Sequence, residues 1–527
     1  MSQLSMYARL AAGLPALLRQ RITPEAARAV IEQRLRAREE NFLRLARLAV
    51  FERPESPYRF LMREAGCEPG DVESLVRSDG IDAALLKLER AGMRVTFEEF
   101  KGRAPLVRGG REFETTDASF DNPIGKASLV SQTTGSTGTP TRVKVALDHL
   151  QSNMWGRVLI QEANGVFGLP TVLYRAGLPS TAAVGAILSH IVMGNPVRRW
   201  FSSIDASSLN TPIRFRAAGM VLPAMVRLSG HPFPRQEWMP MSEAAQVARV
   251  ASDFVRTEGR CLLRAAVSTL LTVAVAAREK GISLEGVTCM GGSEPASVAK
   301  VRGIRQSGAA YVTNYSMNEA GMIGGPCANG LDDTDVHLWS DALALVPGSR
   351  VADIGDDSLA SFALTSLMLT APKILINVDI DDYGILERRR CGCLLGETGL
   401  DQHIRQIRSS AKLTGRGVTL VGSDIVRVIE EVMPARFGGG PQDYQLVEEE
   451  MNDGRTMLTL LVSPSVDLAD EAAPVTVLFE ELATGRPGAS FSGAVLKGSA
   501  AVRVRREQPV PNARGKQPPF RVAAAAS

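Results

Sequence analysis

The hydrophobic pattern of the chain changes character twice. Over "TPEAARAVIEQRLRAREENFLRLARLAVF" apolar residues recur three and four apart, the spacing that lines one face of a helix. Thr23 and Pro24 open this run as N-cap and first helical residue. Helical spacing dominates residues 1–100. The apolar start, "MSQLSMYARLAAGLPALLRQRI", is interrupted by Arg9, Pro15 and Arg19, which suits an amphipathic helix better than a secretion signal.

From 101 to 406 short apolar runs alternate with Gly-rich turns and helical stretches, as in an α/β domain. "GVTCMGG" (Gly286–Gly292) and "KILINVDI" (Lys373–Ile380) read as buried strands. "AAVSTLLTVAVAA" (Ala265–Ala277) is too short to span a bilayer and reads as a buried helix. From 407 to 527 the pattern is a compact α+β module. It has a hairpin turning at Gly417, a helix "SDIVRVIEEVM" capped by Ser423, and strands "DYQLVEEEM" and "TMLTLLVSP" across Asn452–Gly454. A helix near "PVTVLFEELATG" and a strand "AAVRVRRE" complete it. The predicted fold class is α/β: a large multi-sheet domain (101–406), a helical N-terminal extension (1–100) packed on it, and a small mobile α+β lid domain (407–527).

Composition narrows the classes. With 527 residues, 45% hydrophobic and 22% charged, the chain is neither disordered nor fibrous and is too long for one core. Sixty basic and 57 acidic residues leave a net charge of +3, without the excess that nucleic-acid binding requires. Six scattered cysteines do not form a disulfide scaffold. The expectation is a cytoplasmic protein with no nucleic-acid or membrane partner.

Candidate chemistry begins at "SQTTGSTGTPTRVKV" (Ser131–Val145). Its backbone N–H groups and hydroxyls could cradle phosphate oxygens, though Gly135 and Gly138 are too close for a P-loop and no Lys follows. A nucleophile elbow is not met either. Alone, the run is equally a polar turn. Separately, Cys391 and Cys393 form a Cys-x-Cys pair, and Cys327 and His337 flank "ANGLDDTDV". Together they would make a closed Cys₃His site for a structural zinc, with His403 in reserve; the alternative is four unrelated buried residues.

Six stretches in order resemble the acyl-adenylate-forming (AMP-binding) superfamily, and most closely its phenylacetate–CoA ligase-like branch. Thr133, Thr134, Gly135, Ser136, Thr137, Gly138 and Thr139 fit the phosphate-binding signature, with Thr141 in place of its final Lys. "GGSEP", with Gly292, Ser293, Glu294 and Pro295, resembles the turn beside adenine. In "NYSMNEAG" the resemblance implies Asn314, Tyr315, Ser316 and Asn318 at the nucleotide, Tyr315 stacking on adenine, and Glu319 holding Mg²⁺. "VDIDDYG" supplies the ribose-binding Asp382, with Asp381 as rival. The hinge falls on Arg408 and Ser410, and "PVPNARGKQPPF" places the catalytic lysine at Lys516.

The resemblance implies an acid–thiol ligase using ATP and Mg²⁺. A small carboxylic acid would become an acyl-adenylate with release of pyrophosphate, and then pass to CoA. Transfer to an amine or carrier-protein thiol, and a degenerate nucleotide-binding scaffold, are the alternatives. The acyl pocket is expected between Trp155 and Thr288, walled by a helix following Tyr174. Arg142 or Lys144 is a candidate for the charge lost at Thr141. The sequence leaves the acid and the oligomeric state open, a homodimer included.

Overall fold

The structure is a computed structural model. It describes residues 3–132, 142–176, 181–203, 213–294, 296–354, 357–409, 412–415, 418–421, 427–451, 455–484, 502–509 and 520–522.

Two sheets organise the larger part. The first has six parallel strands in the order Ala310–Thr313, Val287–Gly291, Cys261–Ala265, Thr171–Tyr174, Arg199–Ser202, Gln236–Trp238. The chain starts at Thr171–Tyr174 and winds outward to Gln236–Trp238. It then returns to the other side of its first strand and winds the opposite way. The switch point therefore lies between Thr171–Tyr174 and Cys261–Ala265, where a doubly wound sheet opens a crevice at its carboxyl edge. Parallel strands are buried on both faces, which explains their unbroken apolar runs. One face is covered by Ala244–Glu258, Val267–Glu279 and Val298–Arg305, the other by Leu147–Ala163 and Thr181–Val192.

The second sheet has seven antiparallel strands in the order Tyr315–Met317, Gly321–Pro326, Val336–Leu338, Gln402–Ser409, Val378–Arg388, Asp357–Ser366, Leu343–Ile354. "KILINVDI" becomes a strand only from Val378. Asn377 adopts a left-handed φ of 49°, and its side-chain amide donates to the carbonyls of Leu85 and Met93. That anchors the chain to the N-terminal helices before the strand begins.

The N-terminal helices are shared between both sheets. In Gln3–Leu18 and Pro24–Arg36, Leu10, Leu14 and Ile31 join the core of the parallel sheet. Phe42 to Phe100 join the core of the antiparallel one. Thr23 caps as expected, accepting from the Ala26 N–H.

Toward the C-terminus, Lys412–Gly415 pairs antiparallel with Val418–Val421, the expected hairpin; Gly417 and Ser423 lie outside the described residues. A four-stranded sheet follows in the order Val502–Arg506, Thr456–Val462, Tyr444–Glu450, Phe520–Val522, with its own core around Leu446, Leu458 and Leu478.

Candidate active site

The strand Val287–Gly291 delivers its chain to the turn of Gly292, Ser293 and Glu294 at the carboxyl edge of the parallel sheet. The Asn314 N–H donates to the Gly291 carbonyl at 2.9 Å, so the second motif runs alongside the first. Gly291 is required here: a Cβ would lie 2.6 Å from the Tyr311 hydroxyl oxygen. Ser293 holds a left-handed φ of 71°, and its hydroxyl accepts from Arg175 Nη1 at 2.8 Å. Strain of this kind persists where surrounding bonds over-determine it. Glu294 turns toward the start of Val267–Glu279, accepting from the Ser268 N–H and hydroxyl at 2.7 and 2.6 Å. A carboxylate at a helix N-terminus is favoured by the exposed N–H groups there.

Tyr315 begins the edge strand of the antiparallel sheet and donates its hydroxyl to Asp382 Oδ2 at 2.7 Å. Three strands separate the two residues in sheet order, so the sheet curls here. Burial first, and the Asp382 charge second, push the Tyr315 phenol well above its usual range and keep it a donor. Asp381, the rival, is buried with φ 60°, and its N–H donates to Asp379. Ser316 and Asn318 are exposed. The backbone of Arg408 pairs with Tyr383, next to Asp382.

Glu319 is 3% exposed, yet its carboxylate stays ionised. Burial pushes its pKa up, and the Lys101 ammonium at 2.5 Å outweighs that and pulls it below the usual range. Lys101 follows the helix Phe97–Phe100, whose capping box of Thr96 and Glu99 fixes its start. Its ammonium sits 5.4 Å from the ring centroids of both Phe97 and Phe100. Sequence reasoning missed Lys101, since a lysine just past a four-residue helix carries no motif.

Thr133 to Thr139, Pro295, Ser410 and Lys516 lie outside the described residues, as does the side chain of Arg408. Of the two candidates for the charge lost at Thr141, Lys144 is paired with Asp121 at 2.9 Å, and Arg142 is exposed.

The four metal-ligand candidates do converge. The donor atoms of Cys327, His337, Cys391 and Cys393 all lie within 4.8 Å of one another. Cys391 Sγ is 3.4 Å from Cys393 Sγ, and His337 Nε2 is 3.1 and 3.6 Å from Cys393 and Cys391. The edges of a zinc tetrahedron with ligands at roughly 2.0–2.3 Å are about 3.5–3.8 Å, so the donor set fits. His337 Nδ1 donates to the Leu400 carbonyl at 2.6 Å, which leaves Nε2 to face the thiols. The Cys327 thiol pulls Cys393 well below its ordinary range by hydrogen bonding, and His337 adds to this. His403, the reserve, is engaged by Asp335 at 2.7 Å.

No family model and no curated relative matches the chain. Among solved structures, it is similar to 2-hydroxyisobutyryl-CoA ligase in complex with 2-HIB-AMP and CoA in the thioesterification state. The TM-score is 0.57 and the identity 15%, over 93% of this chain and 90% of that one. The chain shares the fold of that ligase. An open conformation of the same ligase gives a TM-score of 0.48 at 15% identity, covering 92% of this chain and 90% of that one. The amide bond synthetase McbA from Marinactinospora thermotolerans gives 0.41 at 12% identity, covering 92% and 93%. Within this fold, Gly291–Asn314 and Tyr315–Asp382 join three sequence-distant motif segments side by side. No helix among the described residues is long and apolar enough to cross a membrane.

Proposed function

We propose that the chain is an ATP-dependent acid–CoA ligase that forms an acyl-adenylate. The observation that carries this reading is the Tyr315–Asp382 bond, with Glu319 buried and ionised four residues beyond Tyr315. In this reading Tyr315 lies against adenine, Asp382 accepts from the ribose hydroxyls, and residues 133–139 hold the β/γ end of ATP. Glu319 is the Mg²⁺ ligand. Mg²⁺ neutralises phosphate oxygens when bound.

The acid's carboxylate oxygen bonds to the α-phosphorus as the bond to the bridging oxygen breaks and pyrophosphate leaves. Carboxylate and triphosphate repel, so the site must supply cations where charge builds, the role assigned to Lys516. In the second step the CoA sulfur bonds to the acyl carbon, its proton passes to solvent, and AMP leaves. Rotation of residues 407–527 about Arg408 and Ser410 exchanges Lys516 for the 412–421 hairpin between the steps. The 2-hydroxyisobutyryl-CoA ligase likeness supports CoA as the acceptor over an amine or carrier-protein thiol. Cys327, His337, Cys391 and Cys393 hold a structural zinc with no open position.

The test is carboxylate-dependent pyrophosphate release from ATP across a panel of acids, with CoA or hydroxylamine as acceptor. Lys516→Ala should lower release by about a hundredfold or more, the loss expected when a transition-state charge partner is removed. Absence of release with every acid refutes the ligase and favours a nucleotide-binding scaffold. Turnover with hydroxylamine but not CoA moves the acceptor to an amine.

A further inference from the structure

Three arginines meet at the switch point of the parallel sheet, and among the described residues none of them is ion-paired. Arg175 follows the strand Thr171–Tyr174, and Arg264 lies near the end of the adjacent strand Cys261–Ala265. Arg175 bridges the two strand ends, donating from Nη2 to the Ala265 carbonyl at 2.8 Å. Arg157, on the helix Leu147–Ala163, reaches across to the helix Thr181–Val192, where Nη1 donates to Ser189 Oγ at 3.0 Å. Arg264 Nη1 approaches His190 Nε2, on the next residue of that helix, at 3.4 Å. His190 is fully buried, and its Nδ1 faces the Asn195 carbonyl at 3.2 Å, so Nε2 can only accept.

Among the described residues none of the three forms an ion pair. Each leaves most of its five N–H donors without a protein acceptor. Glu294 accepts from Ser268 through Oε1 and offsets the Arg175 charge only from a distance, without forming an ion pair with it. Burial lowers all three guanidinium pKa values, to about 10 for Arg157 and Arg175 and about 9 for Arg264. For Arg157 and Arg264 the neighbouring guanidiniums add to the fall. All three remain cations at neutral pH. The three side chains are half-buried, and gathering cations that lack ion pairs in a partly desolvated place is costly. Here that cost sits at the carboxyl edge of the two switch-point strands, where doubly wound sheets bind ligands.

We infer that Arg157, Arg175 and Arg264 bind a second anionic group on the acid substrate, so that the preferred acids are dicarboxylates. The inference rests on the ligase reading for the fate of the reacting carboxylate. The helix Thr181–Val192 and the strand ends wall the arginines, the region where the sequence places the acyl pocket, and Arg175 reaches the Gly292–Glu294 turn by its bond to Ser293. A dicarboxylate would place one carboxylate at the nucleotide and the other among the guanidiniums, whose planar donors match it in pairs.

The experiment compares isophthalate with benzoate, and glutarate with valerate. It uses calorimetric binding to the full chain and pyrophosphate release with ATP. Each diacid should bind roughly tenfold or more tightly than its monoacid partner, the worth of a charge-assisted hydrogen bond. Arg264→Gln and Arg157→Gln should bring that ratio toward one, and Arg264→Lys should keep more of it than Arg264→Gln. The KM for ATP should hold, and the melting temperature should stay level or rise because repulsion is relieved. Equal binding of diacids and monoacids overturns the inference. So do variants that raise the KM for ATP and leave the ratio intact, since the cluster would then serve nucleotide phosphates. No pyrophosphate release with any acid refutes the ligase reading alone, and the binding arm still decides the role of the arginines.

Discussion

Replacing Lys101 with methionine keeps the stem of the side chain and removes the only ammonium in contact with Glu319 among the described residues. Burial, the largest influence on this carboxyl, is then opposed only by its backbone N–H and the more distant Lys373 charge, so its pKa rises, and the energies that follow are upper limits. At pH 7 the folded chain takes up a proton that the unfolded chain does not hold. Protonating a carboxyl of ordinary pKa 4.5 at that pH costs about 2.5 × 1.36, or about 3.4 kcal/mol. This agrees with the roughly 3–5 kcal/mol known for removing one partner of a buried pair. The sign follows from linkage. A carboxyl whose folded pKa is raised favours folding below pH 4.5, and that contribution is lost as pH rises toward the folded pKa. The stability difference between Lys101→Met and Lys101→Met/Glu319→Gln should therefore grow with pH, from about 1.4 kcal/mol at pH 5.5 to about 3.4 at pH 7. Denaturant titration followed by tryptophan fluorescence measures it, because Trp155, Trp200, Trp238 and Trp339 all report on the larger part of the chain. A difference below about 1 kcal/mol at pH 7, or one flat with pH, refutes the view that Lys101 is the main support of the ionised Glu319.

Purified protein should carry about one zinc per chain, and Cys393→Ser should lose it, by elemental analysis. A metal-free chain of unchanged melting temperature refutes the zinc. Tyr315→Phe keeps the ring and removes the donor to Asp382, so ATP binding should weaken by roughly tenfold or less, and by more in Asp382→Ala. An unchanged ATP affinity in Asp382→Ala counts against the ribose assignment. Burial, then nearby arginines, depress the buried His149 to about 4 and His190 to about 3. Their folded pKa values lie below the unfolded 6.5, so their contribution is whole above pH 6.5 and is lost as pH falls toward 4 and 3. The melting temperature should fall across that window, and His190→Gln should flatten the fall; an equal slope in the variant refutes the assignment.

What could be read from the sequence was local in character. The Thr23 cap, the pairing of Lys412–Gly415 with Val418–Val421 and the strands Tyr444–Glu450 and Thr456–Val462 each depend on a few adjacent residues, and each formed as expected. The Cys₃His grouping is long-range, yet thiols and imidazoles are rare enough that their chemistry, together with the family resemblance, suggested the pairing. "KILINVDI" failed for a tertiary reason. Asn377 is held by carbonyls almost three hundred residues away, and nothing in an apolar run announces that. Between Asp381 and Asp382 the sequence left a choice; the left-handed turn at Asp381 directs its neighbour toward Tyr315.

Lys101 and the three arginines escaped notice for a different reason. Lysine and arginine are common and ordinarily solvated, so their type says nothing until the fold removes water and partners. The two outcomes then diverge. Lys101 gains a carboxylate at 2.5 Å, and the pair is balanced before any ligand arrives. Arg157, Arg175 and Arg264 gain only hydroxyl, carbonyl and imidazole acceptors and no ion pair, with Glu294 offsetting Arg175 only from a distance. A balanced pair holds a carboxylate ionised for a cation. An unbalanced cluster attracts an anion. Ser293, held at φ 71° and bonded to Arg175, ties the cluster to the turn that meets Asn314. On the dicarboxylate inference, an anion among the arginines would relieve repulsion at the residue bonded to this turn, so the two positions would respond together.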